Sequence, residues 1–326
     1  MGFPVHPIRM VRTGPRGRTI RGMDTLPSWR PGHARDAVER FLARTTGGDT
    51  PLPVDDRVAV FDNDGTLWNE KPMPTQLHWL VQQWAAAASA DPELARTQPY
   101  AAAQSGDLSW IGGAVDRHAS GDDSDLRLLL AAVGRVTAGM SVDDYRRLVS
   151  DFYAHAEHPV LGVPYAATVY QPMVELVRLL HEHGFTCYVV SAGERDFMRP
   201  MTEQNYGIAP EHVIGSAMGL EYVDGEVRYV DALAFFDDGP EKPVRVWSRI
   251  GRRPAVAVGN SDGDREMLEY TVPGHAGLRL LVHHDDDTGR GDQPYDKGAE
   301  VVLREADERD ITVVSVRDDW ATVFPT

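Results

Sequence analysis

One short stretch, Val58-Ala-Val-Phe-Asp62-Asn63-Asp64-Gly65-Thr66-Leu67, constrains the fold more than any other part of the chain. An apolar, β-branched run stops at two carboxylates separated by one residue, and Gly and Thr follow at once. The apolar run predicts a buried parallel strand. In open α/β sheets, ligand sites lie just beyond the carboxyl ends of such strands, where these carboxylates fall. Two ionised Asp side chains so close repel each other, so a divalent cation sharing the site is expected. Gly65 permits a backbone conformation barred to other residues, and Thr66 adds a hydroxyl and an N–H. An Asx-rich turn after a strand is the alternative that the same Asp-Asn-Asp-Gly would satisfy.

Composition narrows the class. A chain of 326 residues has room for about two domains. Its 33 Lys and Arg against 49 Asp and Glu give a net charge of −16, which argues against a general affinity for nucleic acid or an anionic membrane. Cys187 is the single cysteine and lies in an apolar run, so no internal disulfide can form and a reduced, cytoplasmic setting is expected. No stretch of 18 or more apolar residues is present, so no transmembrane helix is predicted.

Residues 1–23 carry five Arg, no Asp or Glu, and scattered Gly and Pro, and a flexible basic segment is expected over 1–30. Met23 as the natural start is a second expectation for the same stretch. Residues 33–44 have the apolar spacing of an amphipathic helix. Between Leu67 and about Val163 the chain is rich in Ala, Leu and Trp at helical spacing, with helices predicted near 75–89, 93–104, 123–138 and 141–156. That is too much chain for a strand-to-helix loop, and a helical insertion hung over the sheet's active edge is expected, with Trp79, Trp84 and Trp110 in its core.

After Pro164 the α/β pattern resumes. A helix over 171–183 precedes a strand, 185–190, that ends in Ser191-Ala192-Gly193, and the helix from Glu194 to Tyr206 would point its N-terminus at an anion. A strand near 213–218 and an Asp224-Gly225 hairpin lead to Lys242 at the start of the next helix. Ala255–Gly259 is another buried strand, and oxygen-bearing side chains crowd its end in Asn260-Ser-Asp262-Gly-Asp264. A last core strand runs to Val282, and the His283-His284-Asp-Asp-Asp that follows reads as a solvated charged loop.

Asp62-x-Asp64-Gly-Thr, Ser191, Lys242 and the Asn260–Asp264 cluster, in that order at strand ends, resemble the four motifs of the haloacid dehalogenase-like phosphohydrolase superfamily, on its phosphoserine-phosphatase-like side. The resemblance covers roughly residues 55 to 320. It implies an α/β fold: a Rossmann-like parallel-sheet core built from 31–68 and 164–326, with 69–163 inserted as a helical C1 cap. It further implies a Mg²⁺-dependent phosphatase for a small phosphorylated metabolite. Asp62 would be the nucleophile and Asp64 the acid and base. Ser191, Ala192, Gly193, Lys242 and the backbone at Asn63 would hold the phosphoryl oxygens. Mg²⁺ would bind Asp62, the Asp64 carbonyl, and Asn260, Asp262 or Asp264. Asn260 departs from the pattern, since many relatives have Asp there; an amide oxygen can ligate Mg²⁺ but brings no charge. Asp64 favours a phosphatase over a dehalogenase, because it is there to protonate a leaving alkoxide. A phosphotransferase or other hydrolase on the same scaffold, and a catalytically weak binding protein, are the competing readings. For substrate contacts, Trp68, Glu70 and Lys71 after the first motif, and Glu194 and Arg195 after the second, are expected at the mouth of the site.

Overall fold

The computed structural model describes residues 25–119 and 121–325. The basic stretch over 1–23 lies outside the described residues. In chain order the elements are α1 (His33–Gly47), β1 (Val58–Phe61), α2 (Thr75–Ala90), α3 (Tyr100–Ser105), α4 (Ser109–Ala119), α5 (Ser124–Thr137) and α6 (Val142–His155). There follow α7 (Gln171–Glu182), β2 (Thr186–Glu194), α8 (Arg195–Tyr206), β3 (Val213–Val223), β4 (Glu226–Phe235), α9 (Glu241–Ile250) and β5 (Val256–Gly259). The chain closes with α10 (Arg265–Glu269), β6 (Leu278–His283), α11 (Glu300–Glu305), β7 (Thr312–Ser315) and α12 (Val316–Asp319).

The seven strands form one sheet in the order β4-β3-β2-β1-β5-β6-β7. All neighbours are parallel except the β3–β4 pair. β1 and β5 are wholly buried, because both faces of the sheet are covered. Alternate residues serve the two sides: Ala59 and Phe61 pack with Val38 and Phe41 of α1 and Met173 and Leu176 of α7. Val58 and Val60 pack with Val246 of α9, Met267 and Leu268 of α10, and Val302 of α11. This is why a continuous apolar run, rather than an alternating one, marks the central strands. The chain passes from β1 to β2 on one side and from β5 to β6 on the other, so the crevice between the carboxyl ends of β1 and β5 is the topological switch point.

The stretch between β1 and α7 is helical, as its periodicity predicts, with two differences. The helix expected over 93–104 is cut by Pro99, which lacks an N–H, so a 3₁₀ turn at Leu94–Arg96 precedes the short α3. α4 is an addition: Gly112 and Gly113 weaken its local signal, and burial of Ile111 and Ala114 makes up for them. Trp79 and Trp84 are buried in the core, and Trp110 packs against it half-buried. Trp79 and Phe152 meet Phe197 of α8 at ring-centroid distances of 5.4 and 6.0 Å, which ties the insertion to the sheet domain. β3 and β4 are longer than expected and form one continuous hairpin, with positive φ at Asp224 and Gly225 in its turn. Among the described residues, no helix is long and apolar enough to cross a membrane.

The boundary expected at residue 30 is corrected, because residues 25–30 belong to the core. Leu26 and Trp29 are buried, and the Trp29 indole donates to the Pro172 carbonyl at 2.9 Å. Ser28 donates from its backbone N–H and its hydroxyl to the buried Glu175 carboxylate at 2.9 and 2.8 Å. Glu175→Ala should therefore strand two buried donors and lower the unfolding free energy by about 2 kcal/mol, measured by urea denaturation. A change within error would mean that this N-terminal tether is not needed.

Candidate active site

The loop after β1 is wound tightly on itself. The Asn63 carbonyl accepts from the backbone N–H groups of Thr66 and Leu67, and the Gly65 N–H donates to the Trp68 carbonyl. Gly65 sits at φ 77°, and a Cβ there would lie 2.1 Å from Asn260 Nδ2. The residue must therefore be glycine both for its backbone and for the space it leaves. This turn presents Asp62 and Asp64 to a cleft of about 360 Å³ at the switch point, lined also by Glu70, Ser191, Lys242 and Asn260. Gln76, Leu77 and Leu80 of α2 line the same cleft from the insertion. A larger hollow of about 590 Å³, between α6, α8 and β4, contains none of the strand-end residues.

Lys242, at the start of α9, is buried and donates to Asp62 Oδ1 at 2.8 Å and to Asp264 Oδ1 at 2.5 Å. Burial alone would depress its ammonium, and the Asp264 and Asp62 carboxylates raise it instead. Burial lifts the Asp62 carboxyl well above the usual range, Asp264 adds to this, and Lys242 opposes both. The other oxygen of Asp62 has no protein partner among the described residues. Asp64 accepts from the Trp68 indole at 2.8 Å. Burial raises Asp64 to about 6, the indole N–H pulls it down, and the nearby Glu70 charge pushes it up. The result is a positioned carboxyl that can both give and take a proton near neutral pH.

The profile of the haloacid dehalogenase-like hydrolase family matches residues 59–269, which span all of these side chains. The chain belongs to that family. A protein of unknown function from Bordetella pertussis Tohama I is 18% identical with a TM-score of 0.50, over 79% of this chain and 97% of its own. A conserved, functionally unknown protein from Anaerococcus prevotii DSM 20548 is 17% identical with a TM-score of 0.54, over 86% of this chain and 91% of its own. A probable phosphoserine phosphatase from Vibrio cholerae is 14% identical with a TM-score of 0.40, over 82% of this chain and 64% of its own. At these identities the two similar folds speak for the fold alone. No protein of curated function matches the chain.

The structure of this hydrolase brings Asp62, Asp64, Ser191, Ala192, Gly193, Lys242 and Asn260 together around the cleft. Ser191 is buried, and its hydroxyl accepts from the Gly193 N–H at 3.1 Å. The Asn63 side chain turns away from the cleft and accepts from the Tyr206 hydroxyl at 3.2 Å, so only its backbone is available to a ligand. Of the three metal candidates near residue 260, two are spent elsewhere. Asp262 accepts from the Val301 and Val302 N–H groups and so caps α11. The Oδ2 of Asp264 accepts from the backbone N–H groups of Asn260 and Ser261, its Oδ1 binds Lys242, and the side chain is fully buried. Asp262 and Asp264 as direct ligands are therefore corrected, and Asn260 is the candidate that faces the cleft.

Four of the expected substrate contacts are corrected as well. Trp68 is only 1% exposed and works as the donor that orients Asp64, so it offers no aromatic face to a ligand. Glu194 is buried as the N-cap of α8, accepting from the Asp196 and Phe197 N–H groups and the Tyr145 hydroxyl. Arg195 is turned onto the Asp196 carboxylate, with Nε at 3.0 Å and Nη2 at 2.8 Å, and lines a different hollow. Lys71 lies over the Tyr295 ring, 3.8 Å from its centroid, and does not line the cleft. Glu70 alone of the five faces the cleft.

Sequence reasoning missed a supporting layer. The loop after β6, expected to be solvated, contains buried His284, Asp286 and Asp292. His284 Nε2 lies 2.8 Å from the Gly65 carbonyl, while its Nδ1 pairs with Asp292 at 2.8 Å. Asp292 in turn accepts from Tyr170 at 2.8 Å. His284 also stacks on Tyr295, with centroids 4.5 Å apart. The one available signal was position, because His284 lies two residues past the end of a predicted core strand whose neighbour ends in the fourth motif.

Asp237, just before α9, was also missed. Both its carboxylate oxygens are buried without a hydrogen-bond partner among the described residues, and burial, opposed by Lys242, raises it from 3.8 to about 7. Its raised value contributes stability that is full below about 3.8 and is lost as pH rises through about 7. Asp237→Asn should therefore melt several degrees above wild type at pH 8 and show a clearly smaller gain at pH 5; a gain equal at both would rule out this titration. Gly65→Ala should lower turnover by about a hundredfold through displacement of the loop and Asn260. Unaltered turnover by the folded variant would show that the loop tolerates the shift.

Proposed function

We propose that this hydrolase is a Mg²⁺-dependent phosphatase that cleaves phosphate monoesters of small polar metabolites through an aspartyl-phosphate. The observation that carries the reading is the pairing of Asp62, held by Lys242, with Asp64, a buried carboxyl raised to about 6 beside it. A nucleophile fixed at one oxygen and an adjacent proton donor are what hydrolysis of an alkyl phosphate demands.

In this reading the free oxygen of Asp62 attacks phosphorus while the bond to the leaving oxygen breaks. Asp64 gives its proton to that oxygen. It then takes a proton from the water that attacks the aspartyl-phosphate, and inorganic phosphate leaves with Asp62 restored. Lys242, the Ser191 hydroxyl and the backbone N–H groups of Asn63 and Asp64 neutralise the equatorial oxygens.

The donor set suits a hard cation: it is all oxygen, and with few side chains it leaves room for the waters that Mg²⁺ retains. Asp62, the Asp64 carbonyl and Asn260 would hold the ion, although no group of three or more His, Cys, Asp or Glu in ligand geometry occurs among the described residues. Bound there, Mg²⁺ supplies positive charge to the transferring phosphoryl oxygens. The helical insertion is read as a C1 cap, and α2 as the wall that limits substrate size, which favours a small metabolite over a phosphoprotein.

Hydrolysis of para-nitrophenyl phosphate by the purified protein with Mg²⁺ tests the reading. Asp62→Asn should abolish turnover while the melting temperature is kept, because an amide cannot form the acyl phosphate. Wild-type turnover by the folded variant would overturn the assignment.

A further inference from the structure

The cation site as built is short of negative charge. Asn260 is neutral, Asp264 is consumed by Lys242 and two backbone N–H groups, and Asp62 shares its charge with the same ammonium. Asp64 is needed in its protonated form for the first half of the reaction proposed above. Mg²⁺ is ordinarily held by one or two carboxylates, and here the single one, Asp62, has its charge partly offset by Lys242.

Glu70 stands where that charge is missing. It follows the catalytic loop, lines the cleft with Asp62, Asp64 and Asn260, and is largely buried, with its side chain 17% exposed. Its Oε1 accepts from the Tyr295 hydroxyl and lies 3.5 Å from Asn260 Nδ2 and 3.3 Å from Lys71 Nζ. Its Oε2 has no protein partner among the described residues. Tyr295, which orients Glu70, is itself clamped between His284 on one face and Lys71 at its ring. The Asn260 amide meanwhile receives the Thr66 hydroxyl on Oδ1 at 3.1 Å, so that its Nδ2 is the end turned to Glu70. A neutral residue and a carboxylate thus sit as neighbours where a single carboxylate would otherwise serve.

We infer that Glu70, oriented by Tyr295 beside Asn260, supplies the negative charge that the residue at 260 does not, acting on the cation directly or through a bound water. The inference rests on the Mg²⁺ reading above. It makes Glu70 part of the cation site rather than a contact for the organic part of the substrate.

Isothermal titration of Mg²⁺ into the purified, metal-free full chain tests this without turnover. Glu70→Gln should weaken Mg²⁺ by about ten- to a hundredfold. The double variant Glu70→Gln/Asn260→Asp, which moves the charge to 260, should recover the affinity to within a few-fold of wild type. Tyr295→Phe, which keeps the carboxylate but removes the hydroxyl that orients it, should weaken Mg²⁺ several-fold, and it serves as the test if Glu70→Gln does not fold. Mg²⁺ affinity unchanged in Glu70→Gln and in Tyr295→Phe would overturn the proposal. A double variant as weak as Glu70→Gln would also overturn it, since Glu70 would then act by shaping the loop. Wild-type protein that binds no Mg²⁺ would instead overturn the cofactor reading on which the proposal stands.

Discussion

A buried ammonium between two buried carboxylates holds the site together. Lys242 comes from the start of α9, Asp62 from the end of β1 and Asp264 from the turn after β5, and the three meet at 2.8 and 2.5 Å. Removing Lys242 would leave two buried carboxylates without a counter-charge, at a cost of about 3–5 kcal/mol. The pairing also dictates what is left for chemistry. It occupies one oxygen of Asp62 and leaves the other to the cleft. It holds Asp264 in place to receive the N–H groups of Asn260 and Ser261, which turns the Asn260 side chain toward the catalytic loop.

Around this group lies a second layer whose members come from far along the chain. His284, after β6, holds the Gly65 carbonyl, and Asp292 fixes the His284 ring while it accepts from Tyr170 ahead of α7. A loop that brings two buried carboxylates together works against their mutual repulsion. The contacts from β6 and α7 over-determine its conformation, so the two carboxylates stay where the strand end puts them. The hydrophobic core on that face, with Trp29, Trp320 and Tyr170 all buried, keeps the supporting residues dry.

The helical insertion is joined to the same machinery through α8. Glu194, which caps α8, accepts from Tyr145 of α6, and its backbone N–H donates to the Gln76 side chain of α2 at 2.8 Å. Burial, and then the Asp196 charge, raise Glu194 to about 7, although the Asp196 and Phe197 N–H groups favour its charged form. The residue that follows the second motif thus fastens two insertion helices to the sheet domain. Its place three residues after Ser191 makes the position of the insertion and that of the Ser191–Gly193 turn parts of one arrangement.

The local pattern of the chain was enough for the central strands, the order of the four motifs and the helical nature of the insertion. Each of these rests on interactions between near neighbours: an apolar run buried on both faces, carboxylates at a strand end, apolar residues at helical spacing. Strand ends in a parallel sheet must converge, so Asp62, Ser191 and Asn260 could be placed at one site before any distance was known. What Trp68, Glu194, Arg195 and Asp262 point at was not legible, because a step of one residue at a loop or helix end turns a side chain from solvent to core. Only the tertiary structure decided that Trp68 serves Asp64, that Asp262 caps α11, and that His284 and Tyr295 reach the catalytic loop. Those outcomes depend on how loops distant in sequence dock against one another, and docking is settled by packing and buried hydrogen bonds that no local pattern encodes.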